Sequence, residues 1–305
     1  MHTRIFPLFL LVLIAAPLAA QDWKKLPVAR VSPEDLASTE EHADLVYATY
    51  GDRQLALNLY RPKEAVNPLP AIVCIHGGAW WKGERKNFAH VARALAARGF
   101  VAVTISYRLS GEAPFPAQIH DCKAAVRWLR ANAEIHGIDP TRIAATGSSA
   151  GGHLAALLAT SGGVEALEGE GGNPAQSSTI QAAAPMGAQS DLLSERIARR
   201  SKDPAAKFYP QFLGGTQQEV PDTYRLASPI HHLDASDPPM IFLTGELDDP
   251  STRADKIRKK MSDFDIPNSL VVIEGAPHPF PSRQPYFDIA IDKIAESFHL
   301  YLKSD

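Results

Sequence analysis

Cysteine is scarce in this chain: Cys74 and Cys122 are the only two in 305 residues. That excludes a scaffold stapled by several disulfides and a zinc centre of the four-thiolate type. Cys74 falls in an apolar run and Cys122 in a helical pattern, so two buried free thiols are expected, although export would permit a bridge. Histidines are more numerous, but none stands with carboxylates at ligand spacing. The pair His231-His232 reads as an extended segment whose neighbouring rings point apart, so no metal is expected. Basic residues are also short, with 31 Lys and Arg against 34 Asp and Glu, for a net charge of −3. With no basic run to offset this, a nucleic-acid partner is excluded.

Long apolar runs are missing after residue 20. Ile5 to Ala20 is the one such stretch, and it is shorter than the ~20 residues a bilayer span requires. Pro7 and Pro17 interrupt it, Arg4 precedes it, and small residues lead to Gln21. The pattern is that of a secretory signal over residues 1–20, cut after Ala19 or Ala20. No cysteine follows for lipid attachment. The expectation is therefore a secreted or periplasmic protein with no stable membrane anchor after cleavage. Loss of Arg4 would leave 30 basic against 34 acidic side chains, a net charge of −4. No internal repeat is visible, and the remaining length suits one large α/β domain.

The most informative segment present is Gly147-Ser148-Ser149-Ala150-Gly151. It follows a short apolar run, Arg142 to Thr146, and precedes a helix expected from about Gly152. This is the G-x-S-x-G pattern of a nucleophile elbow. A turn tight enough to expose the Ser149 hydroxyl holds that residue in a strained conformation and leaves room for only small neighbours. The following helix offers unpaired amides to developing negative charge. A small-residue N-cap after a strand would have the same local composition, so the rest of the chain must supply partners.

Upstream, Ala71-Ile72-Val73-Cys74-Ile75 reads as a strand buried on both faces and runs into His76-Gly77-Gly78-Ala79-Trp80. A glycine pair after a central strand lets the main chain approach a reacting carbonyl. The expected oxyanion donors are the amides of Gly78, Ala79 and Ala150. His76 is read as a brace for this loop, not a base. Downstream, a strand over Pro239 to Gly245 precedes Glu246-Leu247-Asp248-Asp249, and a strand over Ser269 to Ile273 precedes the loop bearing His278. The order Ser, acid, His is the one an α/β-hydrolase requires. Asp248 is the expected acid by its spacing from Gly245, with Asp249 the alternative. His278 would take the Ser149 proton and Asp248 would orient the imidazole.

The organisation agrees with a mainly parallel sheet. Residues 21–44 are polar and expected to be an irregular lead-in, followed by a catalytic domain over 45–305. Leu45 to Tyr50 and Gln54 to Tyr60 flank the turn signal Gly51-Asp52. Strands and helices then alternate, with helices over Lys86–Arg98, Pro116–Glu134, Ala254–Phe264 and Pro285–Leu302. Residues 187–224, with Phe208, Tyr209 and Phe212 clustered, are expected to form a small cap.

Three stretches carry a family resemblance: His76 to Trp80, Ser106-Tyr107-Arg108-Leu109 with Pro114-Phe115-Pro116-Ala117, and Gly147 through Leu154. They resemble the α/β-hydrolase serine esterases related to bacterial acetyl xylan and feruloyl esterases, in the lipase/carboxylesterase superfamily. The likeness runs from about Leu45 to the end. It implies an eight-stranded sheet flanked by helices, no cofactor, and the triad Ser149, Asp248, His278. This chain departs from the family pattern with Ala79 in place of a third glycine, Thr244 before Gly245, and Pro279 after His278. The expected substrate is an acetyl or feruloyl ester of a polysaccharide or oligosaccharide, with Trp80, Trp81 and Phe280 as candidate substrate-binding surfaces. Competing readings are a general short-chain carboxylesterase, a peptidase or formamidase, and a non-catalytic binding protein on the same fold.

Overall fold

The computed structural model describes residues 22–65 and 68–303, so the expected signal segment lies outside the described residues. Eight strands form one sheet: β1 (Thr39–Tyr50), β2 (Arg53–Pro62), β3 (Leu69–Ile75), β4 (Val101–Ile105), β5 (Ile138–Ser148), β6 (Ala182–Met186), β7 (Met240–Gly245) and β8 (Asn268–Ile273). Their spatial order is β1-β2-β4-β3-β5-β6-β7-β8. β2 runs antiparallel to both its neighbours, β1 and β4, and the six strands from β3 onward are parallel.

Parallel strands are covered on both faces, so successive residues must enter different cores. In β3, Ala71, Val73 and Ile75 join one cluster with the helices Ala117–Ala131 and Ala150–Thr160. Ile72 and Cys74 join the other, with Ala89–Ala96 and Tyr286–Tyr301. Each buried Val, Leu or Ile side chain contributes about 1.5–3 kcal/mol. Cys74 and Cys122 are free and buried, and burial pushes both thiols upward from their ordinary pKa.

Two sequence expectations need correction. The lead-in is not irregular to residue 44, because a helix occupies Pro33–Ser38 and β1 begins at Thr39. Its polar residues face outward on an edge strand, where Arg93 holds Glu41 at 2.6 Å and Arg61 approaches Glu40 at 3.6 Å. His231 and His232 lie in a helical turn, Pro229–His232, not an extended segment. His232 bonds the Leu226 carbonyl at 2.7 Å.

Between β6 and β7 the helices Glu195–Ser201, Phe208–Leu213 and Pro221–Leu226 stand where the cap is expected. The carboxyl ends of β5, β7 and β8 lead into Ser149, Asp248 and His278 respectively. Open α/β sheets build ligand sites at this edge.

Candidate active site

Ser149 sits between β5 and its helix at φ 57° and ψ −115°. The left-handed φ costs on the order of 1–3 kcal/mol and survives only because the surroundings enforce it. A Cβ on Gly151 would fall on the Ile75 carbonyl oxygen, and one on Gly147 would strike the carbonyl oxygen of Gly151. Small residues are therefore required by the close approach of β3, β5 and the elbow. The Ser149 amide donates to the Met186 carbonyl at 2.8 Å and fixes the turn against β6.

His278 Nε2 lies 2.8 Å from Ser149 Oγ, and His278 Nδ1 lies 2.6 Å from Asp248 Oδ2. Asp248 is buried and reaches the ring, whereas Asp249 is exposed, with φ 52°, and accepts from the Ser251 hydroxyl at 3.0 Å. That hydroxyl is the main cause that draws the Asp249 carboxyl below its ordinary range.

Behind Asp248 stands a residue the sequence reading missed. Arg253, 8% exposed, donates from Nη2 to Asp248 Oδ1 at 2.6 Å and from Nε to the Asp248 carbonyl at 2.9 Å. Its Nη1 donates to the Gly187 carbonyl at 2.8 Å. One guanidinium therefore fixes the carboxylate, its backbone and the end of β6. Charge-assisted forks of this kind are both stronger and more directional than neutral bonds.

The loop after β3 is braced from beneath. The Tyr107 ring stacks on His76 with centroids 4.4 Å apart, and its hydroxyl donates to the His76 carbonyl at 3.1 Å. Arg108 grips the buried Asp121 at 2.7 Å, and the Ser110 amide donates to the Trp80 carbonyl at 2.8 Å. The Ser106-to-Leu109 segment thus supports the loop from strand β4. Ala79 and Ala150 line a cleft of about 340 Å³ together with Ser149 and His278. Gly78 stands behind the cleft, where its carbonyl accepts from the amides of Trp81 at 3.2 Å and Lys82 at 3.1 Å.

The three aromatic candidates separate. Trp80 lines the cleft but is only 3% exposed, with one face stacked on Phe212 at 4.4 Å. Trp81, 48% exposed, lies outside the cleft lining with Lys82 over its ring. Phe280 is fully buried against the second core and offers no face to a ligand. The assignment of Phe280 to substrate contact is therefore corrected, whereas Trp81 remains an exposed aromatic face next to the cleft residue Trp80. Aromatic residues near catalytic loops have no sequence signal that tells packing from display.

Trp80 has a second attachment. Its indole N–H donates to His153 Nδ1 at 3.2 Å, and His153 Nε2 bonds the Ala227 carbonyl at 2.7 Å. An indole N–H only donates, so Nδ1 accepts and the ring is the neutral Nε2–H tautomer. Complete burial pushes its pKa down to about 4. One imidazole on the elbow helix thereby ties the loop after β3 to the end of the helix Pro221–Leu226.

Arg196, Arg200, Gln189 and Tyr209 also line the cleft and were absent from the expected site. The i, i+4 spacing of Arg196 and Arg200, which sets both on one helix face, was the available signal.

The family model BD-FAE matches residues 57–261 of this sequence. The chain belongs to the BD-FAE family. This is an α/β-hydrolase esterase family, and the observed sheet has the fold of that class. The chain is 32% identical to Esterase LipQ of Mycobacterium tuberculosis over 210 residues, covering 68% of this chain and 48% of that protein. It thus spans about half the length of that curated relative. Among solved structures, a truncated carbohydrate esterase from gut microbiota superposes with TM-score 0.74 at 28% identity, covering 85% of this chain and 96% of that one. Propionate-bound esterase Est2 of Thermogutta terrifontis superposes with TM-score 0.69 at 28% identity, covering 90% and 98%.

Proposed function

We propose that this BD-FAE chain is a serine esterase that cleaves acyl groups from carbohydrate outside the cytoplasm. The observation that carries the esterase reading is the continuous hydrogen-bonded line from Asp248 through His278 to Ser149 Oγ, 2.6 and 2.8 Å long. A neutral hydroxyl is a weak nucleophile, and the imidazole activates it by accepting its proton as Oγ attacks the ester carbon. The carbonyl oxygen becomes an oxyanion facing the amides of Ala79 and Ala150, at the positive end of the elbow helix. Collapse expels the alcohol, which takes the proton back from His278 and leaves an acyl-enzyme. Water then repeats the cycle and releases the acid. Asp248 stabilises the imidazolium at each stage, and Arg253 keeps that carboxylate in place.

The carbohydrate part rests on the gut-microbiota carbohydrate esterase among the structural neighbours, and the export part on residues 1–20. A second reading, a short-chain carboxylesterase without sugar preference, is favoured by one observation: of the aromatic candidates, Trp80 is covered by Phe212 and Phe280 is buried, which leaves the half-buried Phe208 as the cleft's aromatic face. The deciding measurements are p-nitrophenyl acetate turnover by the native chain and by Ser149→Ala, then acetate and ferulate release from acetylated xylan, pectin and arabinoxylan. Equal turnover by the two proteins rejects the esterase reading. Turnover that rises with acyl chain length, with no release from polymer, selects the second.

A further inference from the structure

From the cap side of the cleft we infer a carboxylate-binding subsite beside Ser149, formed by Arg196, Arg200, Tyr209 and Gln189. The inference rests on the esterase reading for its position relative to the scissile bond, and on the cap side chains for its chemistry.

Arg196 and Arg200 lie four residues apart on the helix Glu195–Ser201 and line the same cleft as Ser149 and His278. Neither has a carboxylate within 4.0 Å among the described residues, whereas Arg199 between them is paired with Glu195 at 3.7 Å. The third guanidinium in the cleft, Arg253, is committed to Asp248. Asp249, exposed nearby, is bound first by Ser251, and Arg196 is the weakest of the influences on it. Two positive charges with no carboxylate within salt-bridge distance therefore line the reaction space, in a protein whose net charge is negative.

The neutral donors beside them are also uncommitted. Among the described residues, neither the Tyr209 hydroxyl nor the Gln189 amide makes a side-chain hydrogen bond, and both residues line the cleft. Burial pushes the Tyr209 phenol above its ordinary pKa, while the charges of Arg200, Arg196 and Arg253 pull the other way. Two guanidinium groups without a carboxylate partner, one of them over the Phe208 ring at 6.0 Å, stand with a phenol and an amide that can each donate; together they offer a planar carboxylate a donor-rich surface. A cleft lined by one sign of charge also concentrates ligands of the other sign.

The carboxylate can enter from either side of the ester. On the alcohol side it belongs to an acylated uronic-acid residue; on the acyl side, to the half-ester of a dicarboxylic acid. The two sources are separated by substrate pairs. Acetylated oligogalacturonate is compared with acetylated xylo-oligosaccharide, and mono-p-nitrophenyl succinate with p-nitrophenyl butyrate. In the native chain, kcat/KM for the anionic member of one pair exceeds that of its neutral mate, and the preference shrinks with added salt. In the double variant Arg196→Gln/Arg200→Gln, that preference falls by about 10- to 100-fold, a larger loss than on the neutral esters, and the thermal midpoint stays unchanged. Arg199→Gln changes none of these. Equal kcat/KM within both pairs, or an equal loss on anionic and neutral esters, overturns the subsite.

Binding is read separately from catalysis. Galacturonate and succinate are titrated calorimetrically into Ser149→Ala, and one of them binds with an affinity that the added Arg196→Gln/Arg200→Gln change removes. Failure of p-nitrophenyl acetate turnover alone would reject the esterase, not the anion site. Absence of binding by both acids rejects the anion site, not the esterase.

Discussion

The floor of the cleft and its roof are built on different principles. The floor is backbone: Ser149 is held at a left-handed φ by carbonyls that tolerate no side chain at Gly147 or Gly151, and Asp248 is held by an arginine that also grips two main-chain oxygens. The roof is side chains on short helices, packed through the Trp80–Phe212 stack and leaving several donors unused. Rigid placement serves a proton transfer that depends on tenths of an ångström. A wall of projecting side chains serves recognition, and can be altered without disturbing the relay.

The largest break in that contrast is on the floor. Ser149→Ala should lower kcat for p-nitrophenyl acetate by at least about 10⁴-fold while leaving the fold unchanged, as checked by single-turnover kinetics and circular dichroism. A smaller effect tests the joint between floor and roof. The folded protein holds His153 neutral, with its pKa pushed from 6.5 to about 4. The unfolded chain therefore binds the extra proton between those values. Stability from this source is intact above pH 6.5 and declines as pH falls toward 4, by up to about 3 kcal/mol. Urea melts at pH 7 and 4.5 should show this loss, and His153→Gln should show less of it.

Arg253 sharpens the comparison further, because it lines the cleft as Arg196 and Arg200 do, yet serves the floor. Arg253→Gln should lower kcat by about 10- to 100-fold with KM for p-nitrophenyl acetate little changed, and Arg253→Lys should recover part of the loss. A fall in thermal midpoint with kcat per folded molecule unchanged would make its role purely structural. Smallest of all is Trp81→Ala. Half-exposed and outside the cleft, it should change stability by less than about 0.5 kcal/mol and leave KM for acetylated oligosaccharides as it was.

Legibility followed the same division. The elbow could be read because strain restricts composition to small residues, and the acid and histidine because each follows a recognisable apolar strand. β6 could not, since Ala182-Ala183-Ala184-Pro185-Met186 lacks the β-branched residues that mark a strand. Only pairing with β5 and β7 on either side makes it one. The seven other strands were visible from residue pattern, the run Val101 to Tyr107 that holds β4 among them, and the eighth came only through family resemblance. The start of β1 was obscured by charge, because an edge strand with an exposed face reads as loop. Arg253 was invisible because its partners, the Gly187 carbonyl and the Asp248 carboxylate, are gathered by the fold. Packing and display look alike in sequence, and Phe280 was misread for that reason.

The imidazole of His153 has a consequence for traffic through the enzyme. It is an interior rivet with indole on one side and the Ala227 carbonyl on the other. Swinging the three helices away would strand a dry nitrogen and a dry oxygen together, each costing about 1–3 kcal/mol. Ester and acid should therefore pass through a standing doorway, with release paced by how tightly that doorway's residues hold the departing product.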